Sequence, residues 1–224
     1  TRLLLIDFIT SPTALILPMA RIIAAARAQG IRVLVDAAHA AGMVKVELDK
    51  LGADYTTGNL HKWLCGPKVS GYLHVRPEHQ DEVRPSVISH AANTPRPSRS
   101  RFLAEFDWTG TFDPTPLLAV PTAIEFLSQL IPGGGIEAVY AANRTLALEG
   151  RRILTERLGL EAPAPEEMLG SIVTLPLPSG PPAAIGQADS LAQVLFEKYR
   201  VEVPIIHWPE PGRRWFRISA MLYN

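Results

Sequence analysis

Two short apolar runs near the start of the chain, "LLLIDF" (residues 3–8) and "IRVLVD" (residues 31–36), constrain the fold more than any other feature. Runs of this kind are typical of strands covered on both faces. Between them, residues 19–29 are Ala-rich with apolar side chains at helical spacing, and Gly30 stands where such a helix would end. Strand, helix and strand in this order predict a βαβ unit. That implies a parallel sheet with a right-handed crossover.

The rest of the chain extends this pattern. Residues 53–56 and Gly71–Val75 read as two further strands. Residues 84–101, rich in Pro, Ser and Arg, read as an exposed loop of the length that often carries function. Residues 116–131 and 136–158 read as helices separated by "PGGG", the second long enough to link two domains. Beyond Gly159 the pattern changes to a strand at 171–177, a helix at Ser190–Tyr199, and strands at 201–206 and 215–219. The Pro- and Ala-rich stretches 161–165 and 176–184 read as connections. The expected organisation is an α/β domain over 1–158, a mostly parallel sheet with helices on both faces. A small α+β domain follows over 159–224. The chain begins directly on a strand and stops at "MLYN", so it is expected to be a fragment lacking the N-terminal part of the large domain and the end of the small one.

Composition narrows the partners. With 22 basic and 22 acidic residues the net charge is zero, which gives no sign of a basic nucleic-acid face. No apolar run reaches the length of a membrane span. A single cysteine allows no intrachain disulfide and fits a reducing, cytoplasmic setting.

Several residues have chemistry beyond folding. Asp36 ends an apolar strand, where open α/β sheets place ligands; it meets a ligand cation there or caps the next turn. His39 lies three residues later in "DAAHAAG", as a packed residue or a partner of the same site. Lys62 follows His61 and precedes Trp63 in "NLHKW". It is a solvated lysine or, if desolvated beside these rings, a nucleophile. Lys45, Lys50, Lys68 and Lys198 fit the solvated reading better. "WTGT" (residues 108–111) has the backbone N–H groups and hydroxyls of a phosphate cradle. Arg217, on the apolar run "WFRIS", needs a buried carboxylate or an anionic ligand. Together these groups are what pyridoxal phosphate chemistry requires: an amine for a Schiff base, a carboxylate for the pyridine nitrogen, a phosphate cradle and an arginine for the substrate carboxylate.

The motifs "VLVDAAHAAG", "GADYTTGNLHKWLCGPKVSGYLHV", "FDWTGTFDP" and "FRISAMLYN" resemble, in order and spacing, the class V aminotransferase family of fold type I pyridoxal-phosphate enzymes. The resemblance runs from Leu3 to Asn224. It implies pyridoxal 5'-phosphate as cofactor, with Lys62 as the Schiff-base lysine and proton carrier at Cα. Asp36 would pair with the pyridine nitrogen. His39 would lie on or bond to the ring hydroxyl, where many relatives have Gln. His61 would bind the phosphate, with Asn59 standing where several relatives have a phosphate-binding Ser. Ser11 or Thr13 would reach the ring hydroxyl, and Arg217 would hold the substrate carboxylate. Gly110 and Thr111 would reach the phosphate in a neighbouring subunit, which implies a homodimer. The family's N-terminal part, expected to be missing here, supplies a further phosphate-binding turn and a ring-stacking side chain.

Within the family, "YTTGNLHKW" and "FDWTGTFDP" are most similar to isopenicillin N epimerase-like proteins. That implies proton removal and return at Cα of an amino acid substrate, with Lys62 as the base. Cysteine desulfurases need a mobile thiolate upstream of the arginine that corresponds to Arg217. Residues 201–214 contain no cysteine, and Cys65 is expected to serve packing. A carbon–sulfur β-lyase or an aminotransferase of the same fold stays open, as does a non-catalytic interaction domain. The retention of Lys62, Asp36 and Arg217 argues against the last.

Overall fold

The computed structural model describes residues 1–94, 97–181 and 187–224. The expected βαβ unit is present as β1 (Leu3–Asp7), α1 (Met19–Ala28) and β2 (Arg32–Asp36). β1 and β2 pair in parallel from Leu3 opposite Arg32 to Asp7 opposite Asp36. Helix α1 forms because Met19, Ile23 and Ala26 lie on one face and are buried together. Pro18 precedes it, where a missing N–H is no loss. Gly30, at φ +66, turns the chain out of the helix and donates to the Arg27 carbonyl.

A single turn, α2 (Leu48–Leu51), leads to β3 (Tyr55–Asn59), which pairs in parallel with β2. β4 (Gly71–Val75) returns antiparallel along β3. The sheet order is β1-β2-β3-β4, so β1 is an edge strand. Among the described residues one face of the β1 run is open. Leu4 and Ile6 pack on the core, while Leu3 and Leu5 are 49% and 65% exposed because no described residue lies over that face.

The expected loop 84–101 contains a short 3-10 turn at His90–Ala92 and ends at Ser100, whose hydroxyl accepts from the Leu103 N–H. Residues 95–96 of that stretch lie outside the described residues. Ser100 caps a helix the sequence reading did not include, α3 (Arg101–Asp107), held by the buried Glu105 between Arg84 and Arg101. The helix expected over 116–131 is two pieces, α4 (Thr115–Leu118) and α5 (Val120–Gln129). Pro121 sits in the first turn of α5, where its missing N–H is harmless; within a continuous helix it would break the bonding.

Helix α6 (Gly135–Leu158) has 24 residues, about 36 Å of length. Its buried residues recur every fourth position, Val139, Asn143, Ala147 and Arg151. It is followed by β5 (Ile172–Pro176), α7 (Ser190–Tyr199), β6 (Ile205–His207) and β7 (Arg214–Ser219). These strands make a second, antiparallel sheet in the order β5-β7-β6. The strand expected from residue 201 begins only at Ile205. Pro204 just before it has no N–H to give a ladder. Of the expected connection 176–184, Pro176 closes β5 and residues 182–184 lie outside the described residues. Among the described residues no helix is long and apolar enough to cross a membrane.

The two sheets share packing. Ile172 of β5 and Met221 join the cluster built from Met19, Ile23, Val33, Val35, Met43 and Trp63. Arg144 of α6 adds bonds of 3.0 and 2.8 Å to the carbonyls of Leu169 and Glu166. Ile172 is 1% exposed, so Ile172→Ala should leave a cavity and lower stability by about 2–5 kcal/mol. Urea unfolding would read this as a lower midpoint with an unchanged slope.

Candidate active site

Because β1, β2 and β3 run in parallel, their carboxyl ends meet at one edge. Asp7, Asp36 and Thr57 stand side by side there. The carboxyl end of an open α/β sheet is where ligands bind. Oδ1 of Asp36 accepts from the Ala38 N–H at 2.8 Å, so Asp36 does cap its turn. A carboxylate has two oxygens, and this leaves the other available.

The loop from β3 to β4 carries Lys62. It is closed by Leu60 N–H to the Ser70 carbonyl at 3.0 Å and Gly66 N–H to the Leu60 carbonyl at 2.8 Å. Trp63 and Leu64 are buried and anchor it. The turn after β2 lies directly on this loop. A Cβ on Gly42, at φ +88, would stand 2.2 Å from the Trp63 carbonyl carbon, so only glycine fits. This contact brings His39 to the lysine. Nε2 of His39 lies 3.4 Å from Nζ of Lys62, and the Trp63 indole N–H donates to His39 Nδ1 at 3.0 Å.

Lys62 differs from the other lysines. Lys45 pairs with Glu137, Lys50 pairs with Glu47, Lys198 lies over the Tyr199 ring and Lys68 is exposed. Lys62 is half-buried, and its side-chain partner among the described residues is His39. His61 is exposed, and its Nδ1–H donates to the Ser70 carbonyl at 3.2 Å. Its other nitrogen has no hydrogen bond among the described residues.

Arg217 projects from β7 of the second sheet to the loop after β1. It donates to the Ser11 carbonyl at 2.8 Å and the Ser11 hydroxyl at 3.1 Å. No carboxylate pairs with it among the described residues, and its buried Nε has no partner. Burial lowers its pKa. Thr13 instead shares a 2.6 Å bond with Thr10, which accepts from the Leu15 N–H, so it braces the loop. Asn59 ends β3 opposite Gly71. Gly110 and Thr111 lie in a turn after α3, outside the hydrogen bonds that join His39, Lys62 and Trp63. The packing role expected for Cys65 does not hold. The residue is exposed in a left-handed turn at φ +58, and partial burial pushes its thiol up, against a hydrogen bond with Tyr223 that lowers it.

The groups of the cluster feel one another's charge. His39 is held down to about 4, first by burial and then by the Lys62 and Arg217 cations, against the pull of Asp36. Asp7 is raised by burial and by Asp36, with Lys62 opposing. Tyr72 is raised by burial and by Asp36. Its ring lies over Gly58, where a Cβ would come within 2.5 Å. The sequence reading passed over Asp7, Tyr72 and Gly42. Asp7 ends an apolar strand just as Asp36 does, so its signal was present. The closeness of Gly42 to Trp63 has no sequence signal.

A mostly parallel sheet with a lysine, a carboxylate and an arginine at its carboxyl edge has the arrangement of the fold type I pyridoxal-phosphate class. The family model for aminotransferase class-V matches residues 1–194. Isopenicillin N epimerase of Streptomyces clavuligerus is 37% identical over all of this chain and 56% of its own length. A probable chloroplastic L-cysteine desulfhydrase of Arabidopsis thaliana is 31% identical over all of this chain and 48% of its own. The apo cysteine desulfurase of Thermococcus onnurineus NA1 superposes with a TM-score of 0.76 at 18% identity, covering 100% of this chain and 56% of that one. The chain belongs to the aminotransferase class-V family, whose cofactor is pyridoxal 5'-phosphate. It spans about half the length of these relatives.

The folded value of His39 lies below the ordinary 6.5. Between those values the unfolded chain binds more protons, so stability is full above 6.5 and falls as pH drops towards 4. Comparing wild type with His39→Gln by urea unfolding should show an extra loss of roughly 2 kcal/mol in wild type between neutral pH and about pH 4.5.

Proposed function

We propose that the protein acts at Cα of an amino acid on pyridoxal phosphate joined to Lys62, and that it is an epimerase. The observation that carries this reading is the half-buried Lys62 amine, with an imidazole rather than a carboxylate as its partner. It lies within the charge field of Asp7, and Asp36 and Arg217 act on the same imidazole.

The groups present suit the cofactor. Lys62 offers an amine to an aldehyde, Asp36 a carboxylate to a pyridine nitrogen, and His39 a ring nitrogen to a hydroxyl. His61, with Asn59, would hold phosphate, and Ser11 with Arg217 would take the substrate carboxylate. Gly110 and Thr111 would serve the phosphate of a partner subunit in a homodimer. When bound, pyridoxal phosphate supplies the electron sink for the pair left at Cα. Asp36 would keep a proton on the pyridine nitrogen, and the free amine of Lys62 would take the Cα proton; epimerisation then requires a proton to be delivered to the opposite face of Cα. Arg217, with no carboxylate against it among the described residues, would accept the substrate carboxylate as a paired anion and fix Cα within reach.

A carbon–sulfur β-lyase is the second reading. It is favoured by the 31% identity to the probable L-cysteine desulfhydrase over the whole chain. Both reactions start from the same proton removal, and they part at the β-carbon. A desulfurase using this chain's own thiol is not favoured: Cys65 is the single cysteine, and partial burial pushes its thiol up.

The full-length protein, incubated with L-amino acids and S-substituted cysteines, separates the readings. Change of chirality without pyruvate and ammonia supports the epimerase; release of both supports the lyase. Lys62→Ala should lose the absorbance near ~420 nm that joining to the cofactor produces. Its turnover should fall by about 10²–10⁴-fold. Retention of both by Lys62→Ala would sink either reading.

A further inference from the structure

The bond between Trp63 and His39 has only one possible sense. An indole nitrogen carries one hydrogen and accepts nothing, so Trp63 donates and His39 Nδ1 accepts. A neutral imidazole has one proton, which must then sit on Nε2. Nε2 is the atom 3.4 Å from Nζ of Lys62. Facing an ammonium, Nε2–H meets another donor and makes no bond. Facing a free amine, it donates to a lone pair. We propose that Trp63 is a positioning residue that holds His39 as the Nε2–H tautomer, so that His39 favours the free amine of Lys62 and offers a fixed donor to whatever atom later takes that place.

Burial supports the device. Trp63 and His39 are 8% and 9% exposed, so water does not compete well for the bond. The charged groups around the ring come from three elements: Asp36 from β2, Lys62 from the loop after β3, and Arg217 from β7. The two cations and burial keep a second proton off the ring; Asp36 alone favours it. Asp7 of β1 lies within the field of Lys62. A phenylalanine at 63 would fill similar space but leave Nδ1 without its donor. The ring could then carry its proton on Nδ1 and turn a bare Nε2 to the ammonium, stabilising the form that is not a nucleophile. Trp63 directly follows Lys62, so the residue that sets the tautomer moves with the lysine it serves.

The inference deepens the proposed function, since it rests on Lys62 being the reactive amine, but its test needs no turnover. In full-length protein freed of cofactor, competitive labelling with acetic anhydride, read by mass spectrometry over a pH series, gives the midpoint at which Lys62 becomes a free amine. Trp63→Phe should raise that midpoint by about one pH unit, a tenfold loss of free amine at a given pH. Lys45 and Lys198 should not move. In a His39→Ala background, adding Trp63→Phe should change nothing further. An equal shift in both backgrounds, or an unmoved midpoint in folded Trp63→Phe, overturns the proposal. Should Trp63→Phe fail to fold, nitrogen NMR of the ¹⁵N-histidine-labelled wild type decides alone. A protonated Nε2 and a bare Nδ1 at His39 support the proposal, and the reverse overturns it. A protein that passes these tests yet never takes up pyridoxal phosphate upholds this inference while refuting the proposed function.

Discussion

The site depends on one close contact between two turns at the carboxyl edge of the parallel sheet. The turn after β2 carries His39, the loop after β3 carries Lys62, and Gly42 lets their backbones touch at Trp63. Strand pairing alone sets Asp36 beside Thr57, but it does not decide where side chains three to five residues further along will point. Gly42 does that. With any Cβ there the turns must separate, and His39 loses both the indole and the amine together. The pairing of strands thus provides the edge, and a single missing side chain provides the geometry on it.

A second constraint joins the two sheets. Arg217 belongs to β7, yet its guanidinium bonds to Ser11 in the loop after β1. The arginine can hold a fixed place over the first sheet only if β7 is fixed relative to it. Ile172, on the strand paired with β7, and Met221, just past its end, are packed in the core of the first sheet. Helix α6 adds to this, with Asn143 against Met221 and Arg144 on the carbonyls that precede β5. Apolar burial therefore sets the distance between a cation on one sheet and the carboxylates on the other.

Local features were legible in the sequence, and contacts between distant segments were not. The βαβ unit, Gly30 at the end of α1 and the helix Ser190–Tyr199 follow from periodicity and capping, which are short-range. One face of β1 is open among the described residues, and an apolar run reports what a strand can be covered by, not where the cover comes from. The split between α4 and α5 and the late start of β6 both turn on a proline inside an otherwise regular pattern. At the site, Asp36, His39, Lys62 and Arg217 stood out by residue type and place, and the structure gathers them. Asp7 carried the same strand-end signal as Asp36 and was overlooked. The indole bond to His39 is of another kind: it joins residues 24 apart, and nothing in local pattern reports it.

The charges at this edge explain why an imidazole suits position 39. Two carboxylates, Asp7 and Asp36, and two cations, Lys62 and Arg217, already lie within each other's field. A further carboxylate beside Lys62 would pair with the ammonium and hold it charged, which opposes nucleophilic chemistry. A further cation would oppose that charge but would be buried without a partner. A neutral ring avoids both penalties, provided that its proton stays on the side of the lysine. Burial supplies the neutrality and Trp63 supplies the side. The histidine and the tryptophan therefore act as one group beside Lys62.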